Sequence, residues 1–179
     1  MTEVGSVYGE ALYELAKSEG LSEAVSRELA VLRESFCREP DFIRLLGAPN
    51  LSKQERCRIL DDSFRGKVEP YVLNFMKILT EKGYIRHFSH CCDAYMDRFY
   101  RDNGILPVTA ITAVPMTEEQ RQKLCQKLGS ITGKEILLHS RVEPGTLGGV
   151  RLDYDGRQLD DTVANRLQSI RELLNKTVL

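Results

Sequence analysis

The sequence predicts an α+β protein in which a helical half precedes a small α/β half. Apolar residues recur at three- and four-residue spacings through the first hundred positions, which is typical of packed amphipathic helices. Residues 105–114 and 134–142 instead alternate in the manner of β-strands. The dividing segment is Asp102-Asn103-Gly104. We therefore expect a six-helix bundle over residues 1–104 and, over 105–179, an α/β domain with a short mixed sheet and a C-terminal helix.

The first three predicted helices follow from their apolar stripes and breaking residues. The stripe of residues 4–17 predicts a helix that stops near Gly20. Ser22 is the predicted cap of a second helix, which extends through Phe36 and is broken by Pro40. Residues 41–46 are predicted to form a short third helix.

The next three helices have clearer start signals. Ser52 followed by Glu55 is a capping-box pattern, which predicts a fourth helix through Phe64. Pro70 is suited to the first turn of a fifth helix. A sixth helix is expected over residues 88–100.

The second half combines strands with two predicted helices. Thr117 is expected to open the helix that lies between the strands of residues 105–114 and 134–142. After a glycine-rich bend, one strand places Val150, Leu152 and Tyr154 on a single face. Asp155-Gly156 predicts a tight hairpin, and the return strand ends at Leu159.

A final helix follows that hairpin. Asp160, Asp161 and Thr162 supply oxygens that suit its N-terminus. Its apolar residues recur at spacings of four, three and four, which is the a/d pattern of a coiled-coil-like helix. They are Val163, Leu167, Ile170 and Leu174.

Composition excludes several classes of protein. The 179 residues are 42% hydrophobic and 28% charged with a net charge of −1, which is typical of a soluble globular protein and argues against nucleic acid as the main partner. No apolar run is long enough for a membrane span, and the amphipathic, acidic N-terminus does not resemble a signal peptide. Five irregularly spaced cysteines indicate free thiols in a reducing compartment. We expect a cytosolic protein.

Residues capable of chemistry do not form a convincing catalytic or metal site. His87, His90, Cys91 and Cys92 are close in sequence, but two adjacent cysteines on a helix point about 100° apart and would not share a metal ion easily. The glycines of residues 145–149 lead into a strand, whereas a phosphate loop leads into a helix. We therefore expect no cofactor, no metal and no catalytic residue.

Two other classes of function stay open at this stage. A small thiol enzyme would use Cys91 or Cys92 as nucleophile and would require a lowered thiol pKa. An unrelated helical adaptor would require only apolar helix faces. An RNA-binding role is weaker, because basic residues alternate with acidic ones throughout.

Two segments carry a resemblance to a known family. The opening VYGEALYELA and the later LGGVRLDYDGRQLDDTVANRL are similar to segments of the delta subunit of bacterial F-type ATP synthases, which belongs to the oligomycin-sensitivity-conferring protein family. The likeness covers nearly the whole chain. The positions that match the family's C-terminal signature are Leu147, Gly148, Gly149, Asp160, Thr162 and Leu167.

The resemblance implies a stator subunit without catalysis of its own. Such a subunit links the catalytic alpha/beta head to the b-subunit peripheral stalk, so that the head resists rotation during proton-driven ATP synthesis. It implies one copy per complex, a monomer when alone, and a place at the cytoplasmic face of the bacterial cell membrane, with membrane association only through the complex. From the charge balance we expect no nucleic-acid partner.

The resemblance also implies two contact surfaces. The helical domain would bind the N-terminal helix of an alpha subunit between its first and fifth helices, and the α/β domain would hold the ends of the b subunits. We expect Leu12→Asp to weaken the alpha-subunit complex, with intact folding as the necessary control, and Ile170 and Leu174 to contact the stalk. The implied lining of the alpha-subunit groove is Val7, Tyr8, Ala11, Leu12 and Leu15 on one wall, and Phe75, Met76 and Leu79 on the other.

Overall fold

The computed structural model describes residues 3–48 and 50–163, together with residues 165 and 167. It is a mixed α+β fold, as the sequence predicts. Contacts between residues divide the chain into two compact units, Met1–Phe99 and Tyr100–Leu179. Among the helices described, none has both the length and the apolar character needed to cross a membrane.

The described part of the first unit is built from helices. A short 3-10 turn, Ile85–His87, lies between the fifth and sixth helices, and the sixth extends past the boundary of the unit. The helices are α1 (Glu3–Ser18), α2 (Ser22–Arg38), α3 (Pro40–Leu46), α4 (Lys53–Phe64), α5 (Pro70–Glu81) and α6 (Phe88–Asp102).

The capping signals in the sequence are partly confirmed. Ser52 and Glu55 form the expected capping box: the Glu55 amide donates to the Ser52 hydroxyl at 3.2 Å, and the Ser52 amide donates to the Glu55 carboxylate at 2.8 Å. The expectation that Ser22 caps α2 is wrong, because Ser22 is already the first helical residue and Leu21 before it makes no side-chain cap. Pro40 opens α3 as well as ending α2, since proline fits the first turn of a helix.

The core of this unit is organised around α5, which buries residues along most of its length. On α1, Gly9 permits the closest approach to α6: a Cβ atom at this position would lie 2.3 Å from the Cys91 carbonyl oxygen. One turn further along, the rings of Tyr13 and Tyr95 meet edge to face with centroids 5.4 Å apart. The absence of a side chain at Gly9 therefore lets the two helices pack closely.

The second unit contains a four-stranded mixed sheet in the order β2-β1-β3-β4. Strand β1 pairs parallel with β2, and the β1–β3 and β3–β4 pairs are antiparallel. Helix α7 connects the two parallel strands, as such a pair requires. The elements are β1 (Ile105–Thr112), α7 (Glu118–Thr132), β2 (Glu135–Val142), β3 (Val150–Tyr154) and β4 (Arg157–Asp160).

One face of this sheet forms the second core. The side chains of α7 cover alternate residues of the strands, as the period of two in a strand predicts. The predicted hairpin is confirmed at Asp155-Gly156, where both residues have positive φ, at 46° and 69°. The buried positions of this core are Leu106, Val108, Ala110, Leu138 and Leu152.

Candidate functional site

Helices α1 and α5 lie side by side and antiparallel. Near the end of α1, the Glu19 carboxylate accepts a hydrogen bond from the Tyr71 hydroxyl at the start of α5, and the negative charge of Glu19 raises the Tyr71 pKa. Near the start of α1, the ring of Tyr8 meets that of Tyr84, just beyond α5, with centroids 5.9 Å apart. These two contacts mark the two ends of the seam between the helices.

Four of the residues that the resemblance places in the alpha-subunit groove are core residues in this structure. Leu12 is 4% exposed, Phe75 is 6% exposed, and Met76 and Leu79 have no exposed surface. They pack into one cluster with α2, α4 and α6. Their assignment to a partner surface is therefore corrected: each lies on the face of its helix that closes the unit's own core.

The other predicted residues do reach the surface. Val7 is 62% exposed, Leu15 is 43% exposed, Ala11 is exposed and Tyr8 is half-buried. Residues 4, 8, 11 and 15 follow helical spacing, so they form one ridge along α1 next to the seam. Tyr8 also packs against the edge of the core, whereas the rest of this apolar ridge is not part of it.

On α5 and just beyond its end, the sequence interpretation missed the residues that face this ridge. Ile78 is 45% exposed and Tyr84 is 37% exposed, although both are large and apolar. Tyr71 and Ile78 are seven positions apart, which places them within about 20° of each other around the helix. Because Tyr71 contacts α1, Ile78 lies on the same flank. The signal available in the sequence was the seven-residue spacing of Tyr71 and Ile78, two apolar residues outside the buried stripe of α5.

These residues form what we call the α1–α5 surface. The span from Tyr8 to Glu19 is eleven residues, or about 16 Å of helix. Between Tyr8 and Leu15, the short side chain of Ala11 leaves a low point in the ridge. The α1–α5 surface consists of Tyr8, Ala11, Leu15, Tyr71, Ile78 and Tyr84.

In the second unit, the structure brings together the two halves of the family signature. The Val163 amide donates to the Gly148 carbonyl at 3.0 Å, and the Asp161 amide donates to the Val150 carbonyl at 3.2 Å. Gly149 has φ of 80°, and a Cβ atom there would lie 2.4 Å from the Asp161 carbonyl oxygen. The glycine therefore allows two backbone segments to run against each other.

Asp160 and Thr162 order the start of the last helix. The Asp160 carboxylate accepts a hydrogen bond from the Thr162 amide at 2.9 Å, and this bond holds the Asp160 pKa below its usual range. The Thr162 hydroxyl accepts a hydrogen bond from the Asn165 amide at 3.2 Å, as an N-cap does. Thr162 is buried. The expected capping role of these two residues is confirmed.

The remaining signature residues, Leu147 and Leu167, are exposed by 67% and 54%. Within the described part of this unit, neither residue belongs to the hydrophobic core. Ile170 and Leu174, the residues expected to contact the stalk, lie outside the described residues.

The cysteine and histidine cluster has the wrong properties for a thiol enzyme. Cys91 and Cys92 are both buried, and burial raises both thiol pKa values, that of Cys91 to about 11. The rings of His87 and His90 lie 6.3 Å apart, with His90 exposed. Within residues 3–48, 50–163, 165 and 167, no group of three metal-binding side chains converges.

A third thiol, Cys57, lies in a cleft of about 760 Å³ that is lined mainly by charged residues of α4 and the end of α5. Its thiol contacts the Glu81 carboxylate at 3.7 Å. Burial and the negative charge of Glu81 both raise the Cys57 pKa. A nucleophilic cysteine needs the opposite shift.

We expect Cys91 and Cys92 to resist alkylation in the folded protein, whereas the exposed Cys37 reacts. At pH 7.5, a thiol with a pKa of about 11 is ionised in only ~0.03% of molecules. Iodoacetamide labelling followed by peptide mass spectrometry measures this, with the guanidinium-unfolded protein as the control in which all the cysteines react. Labelling of native Cys91 as fast as Cys37 would contradict the prediction and revive the enzyme interpretation.

Comparisons with known proteins identify the family. Residues 4–174 match the model of the ATP synthase delta (OSCP) subunit family. The chain is 33% identical to ATP synthase subunit delta of Alkaliphilus oremlandii over 98% of both chains. It is 28% identical to ATP synthase subunit delta of Clostridioides difficile, over 98% of this chain and 97% of that one.

A solved structure shares the fold. A chain in the mitochondrial ATP synthase hexamer of Toxoplasma gondii matches with a TM-score of 0.79 and 21% identity, over 97% of this chain and 98% of that one. An unrelated helical adaptor does not account for a family match of this extent. The chain belongs to the ATP synthase delta (OSCP) subunit family.

Proposed function

We propose that this protein is a non-catalytic stator subunit of an F-type ATP synthase, which links the catalytic head to the peripheral stalk so that the head resists rotation. Besides family membership, the observation that carries this proposal is the exposed α1–α5 surface. Burial of large apolar side chains stabilises a protein by about 1.5–3 kcal/mol each, so their exposure along one seam favours a partner that covers them.

The partner that fits this surface is an amphipathic helix, which we propose to be the N-terminal helix of an alpha subunit. A length of about 16 Å accommodates about three helical turns. Ala11 leaves space for a large side chain of the incoming helix, between Tyr8 and Leu15 on one wall and opposite Ile78 on the other. A helix in an apolar groove is a common mode of peptide recognition.

A brace must stay bound while torque acts on it. Nanomolar affinity corresponds to about 12 kcal/mol. A few exposed apolar side chains do not reach this value easily after the entropic cost of association. We therefore propose that the helical unit works as one rigid bundle, whose tight packing at Gly9 holds the α1–α5 surface in its binding conformation.

The second unit is proposed to hold the ends of the b subunits at Ile170 and Leu174, where the sequence pattern predicts that the last helix continues. Residues 1–104 would then serve the head and residues 105–179 the stalk. In this arrangement, one copy of the chain joins each synthase and is monomeric when alone. It is placed at the cytoplasmic face of the bacterial cell membrane by the complex alone.

The direct test is titration of the full-length protein with a synthetic peptide of the alpha subunit's N-terminus, followed by amide chemical shifts. We expect shifts clustered at the α1–α5 surface, with smaller changes on α2 and on the sheet. Shifts that avoid both α1 and α5 would contradict the assignment of the surface.

Single substitutions sharpen this test. Leu15→Asp and Ile78→Asp are each expected to weaken peptide binding at least about tenfold, because each puts a charge into a desolvated contact that is otherwise apolar. Isothermal titration calorimetry measures the affinity.

The matched control is Val31→Asp, since Val31 is an exposed apolar residue, 65% accessible, on α2. It should bind like the unmodified protein. All three variants should keep their melting temperatures within a few degrees, because the changed side chains are exposed. Equal affinity of Leu15→Asp and Val31→Asp would show that the proposed surface is wrong.

A further inference from the structure

Leu147 combines two features that its own unit does not explain. Its φ is 60°, in the left-handed region that a leucine rarely adopts. Its side chain is also 67% exposed. A strained backbone normally persists because the surrounding structure or a function requires it. Here the leucine side chain gains little burial in return.

The hydrogen bonds of the turn do not depend on the leucine side chain. The Leu147 amide donates to the Pro144 carbonyl at 3.2 Å, and the Thr146 hydroxyl donates to the Glu143 carbonyl at 2.9 Å. Thr146 is the buried member of the turn. Asparagine or glycine at position 147 would make the same backbone bond with less strain. The geometry of the turn therefore does not select leucine.

Exposed apolar residues of the last helix lie beside this turn. Gly148, the next residue along the chain, accepts the amide of Val163, and its Cβ position is 3.4 Å from the Val163 side chain. Val163 is 42% exposed, and Leu167, one turn later, is 54% exposed. We call Leu147, Val163 and Leu167 the signature patch.

The sequence pattern indicates what covers this patch. Val163 and Leu167 begin the four-three-four spacing that continues to Ile170 and Leu174, and an a/d spacing is typical of a helix that packs against another helix. An amphipathic helix with its own apolar seam is therefore the partner that the patch fits. A side chain projecting from the turn would sit beside the first turn of such a seam.

We propose that Leu147 is an anchor for the stalk helix, so that the b-subunit contact begins at the glycine-rich turn and continues at Val163 and Leu167. This inference rests on the proposed stator function. It assigns to one signature residue a role in binding, whereas Gly149, Asp160 and Thr162 order the backbone around it.

The test is Leu147→Asn in the full-length protein, with affinity for the purified soluble part of the b subunits measured by calorimetry. Asparagine tolerates positive φ and removes the apolar side chain. We expect a loss of affinity of at least tenfold and a melting temperature equal to or above that of the unmodified protein. Leu147→Met should restore most of the affinity, since it returns an apolar side chain of similar size.

The control is Ile131→Asn, because Ile131 is 72% exposed and precedes β2, whereas Leu147 follows the end of that strand. Its affinity should be unchanged. Binding by Leu147→Asn within twofold of normal would overturn the anchor role, and so would a fall in melting temperature that accounts for the lost binding. If the unmodified protein does not bind b subunits at all, the proposed stalk function fails, and this inference fails with it.

Discussion

Leu12→Asp is expected to unfold the helical unit rather than simply to weaken a complex. Leu12 is 4% exposed and packs in the core of α1, α2 and α5. Loss of a buried leucine costs about 2–5 kcal/mol, and a carboxylate without a partner in that site adds several kcal/mol more or becomes protonated. Small domains have only about 5–15 kcal/mol of stability in total.

The measurement is hydrogen exchange followed by mass spectrometry, reported for peptides of α5, because that helix lies at the centre of the core. We expect the strong protection of residues 72–80 to be lost. Ala11→Asp is the neighbouring control, since Ala11 is exposed and the change should cost no more than about 1 kcal/mol. Normal protection in Leu12→Asp would contradict the burial described here.

The two variants also separate folding from binding. Ala11→Asp should lose affinity for the alpha-subunit peptide with its fold intact, because it fills the low point of the α1–α5 surface with a charge. Leu12→Asp loses both, so a binding defect in that variant carries no information about the partner. This is why the sequence-based choice of Leu12 as a test residue is corrected.

Gly149→Ala is expected to be the most damaging glycine substitution in the second unit. The residue has φ of 80°, and a Cβ atom there would meet the Asp161 carbonyl oxygen at 2.4 Å. A left-handed alanine costs about 1–2 kcal/mol, and overpacking against backbone adds about 1–3 kcal/mol. We expect a total loss of about 3 kcal/mol and disruption of the bond between the Asp161 amide and Val150.

Gly156→Ala isolates the first of these two costs, the left-handed backbone, so the difference between the two variants gives the cost of overpacking. Gly156 has φ of 69°, and no atom lies within 4 Å of its Cβ position, so only the backbone strain applies. The effect of alanine on the unfolded chain is the same in both variants and cancels in their difference. Hydrogen exchange of the β3 and β4 amides measures the loss in free energy of unfolding for each of the two variants. Equal losses in the two variants would show that the crowding at Gly149 has no energetic weight.

Local signals in the sequence were sufficient wherever the determining contacts are close along the chain. The Ser52 capping box, the Thr117 helix start and the Asp155-Gly156 hairpin each depend on residues within three or four positions, and each is found as predicted. Ser22 is the exception. Leu21 precedes α2 without a side-chain cap, and packing of Val25 and Leu29 in the core supports that helix instead.

By itself, the sequence determined the order of helices and strands, the hairpin and the family, because these depend on spacing and local chemistry. Only the tertiary structure decided which apolar residues are free for partners. Leu12 and Leu15 have the same side chain on the same helix, yet one is buried and the other is 43% exposed. The difference arises from where α2, α5 and α6 pack around α1, and periodicity along one helix does not contain that information.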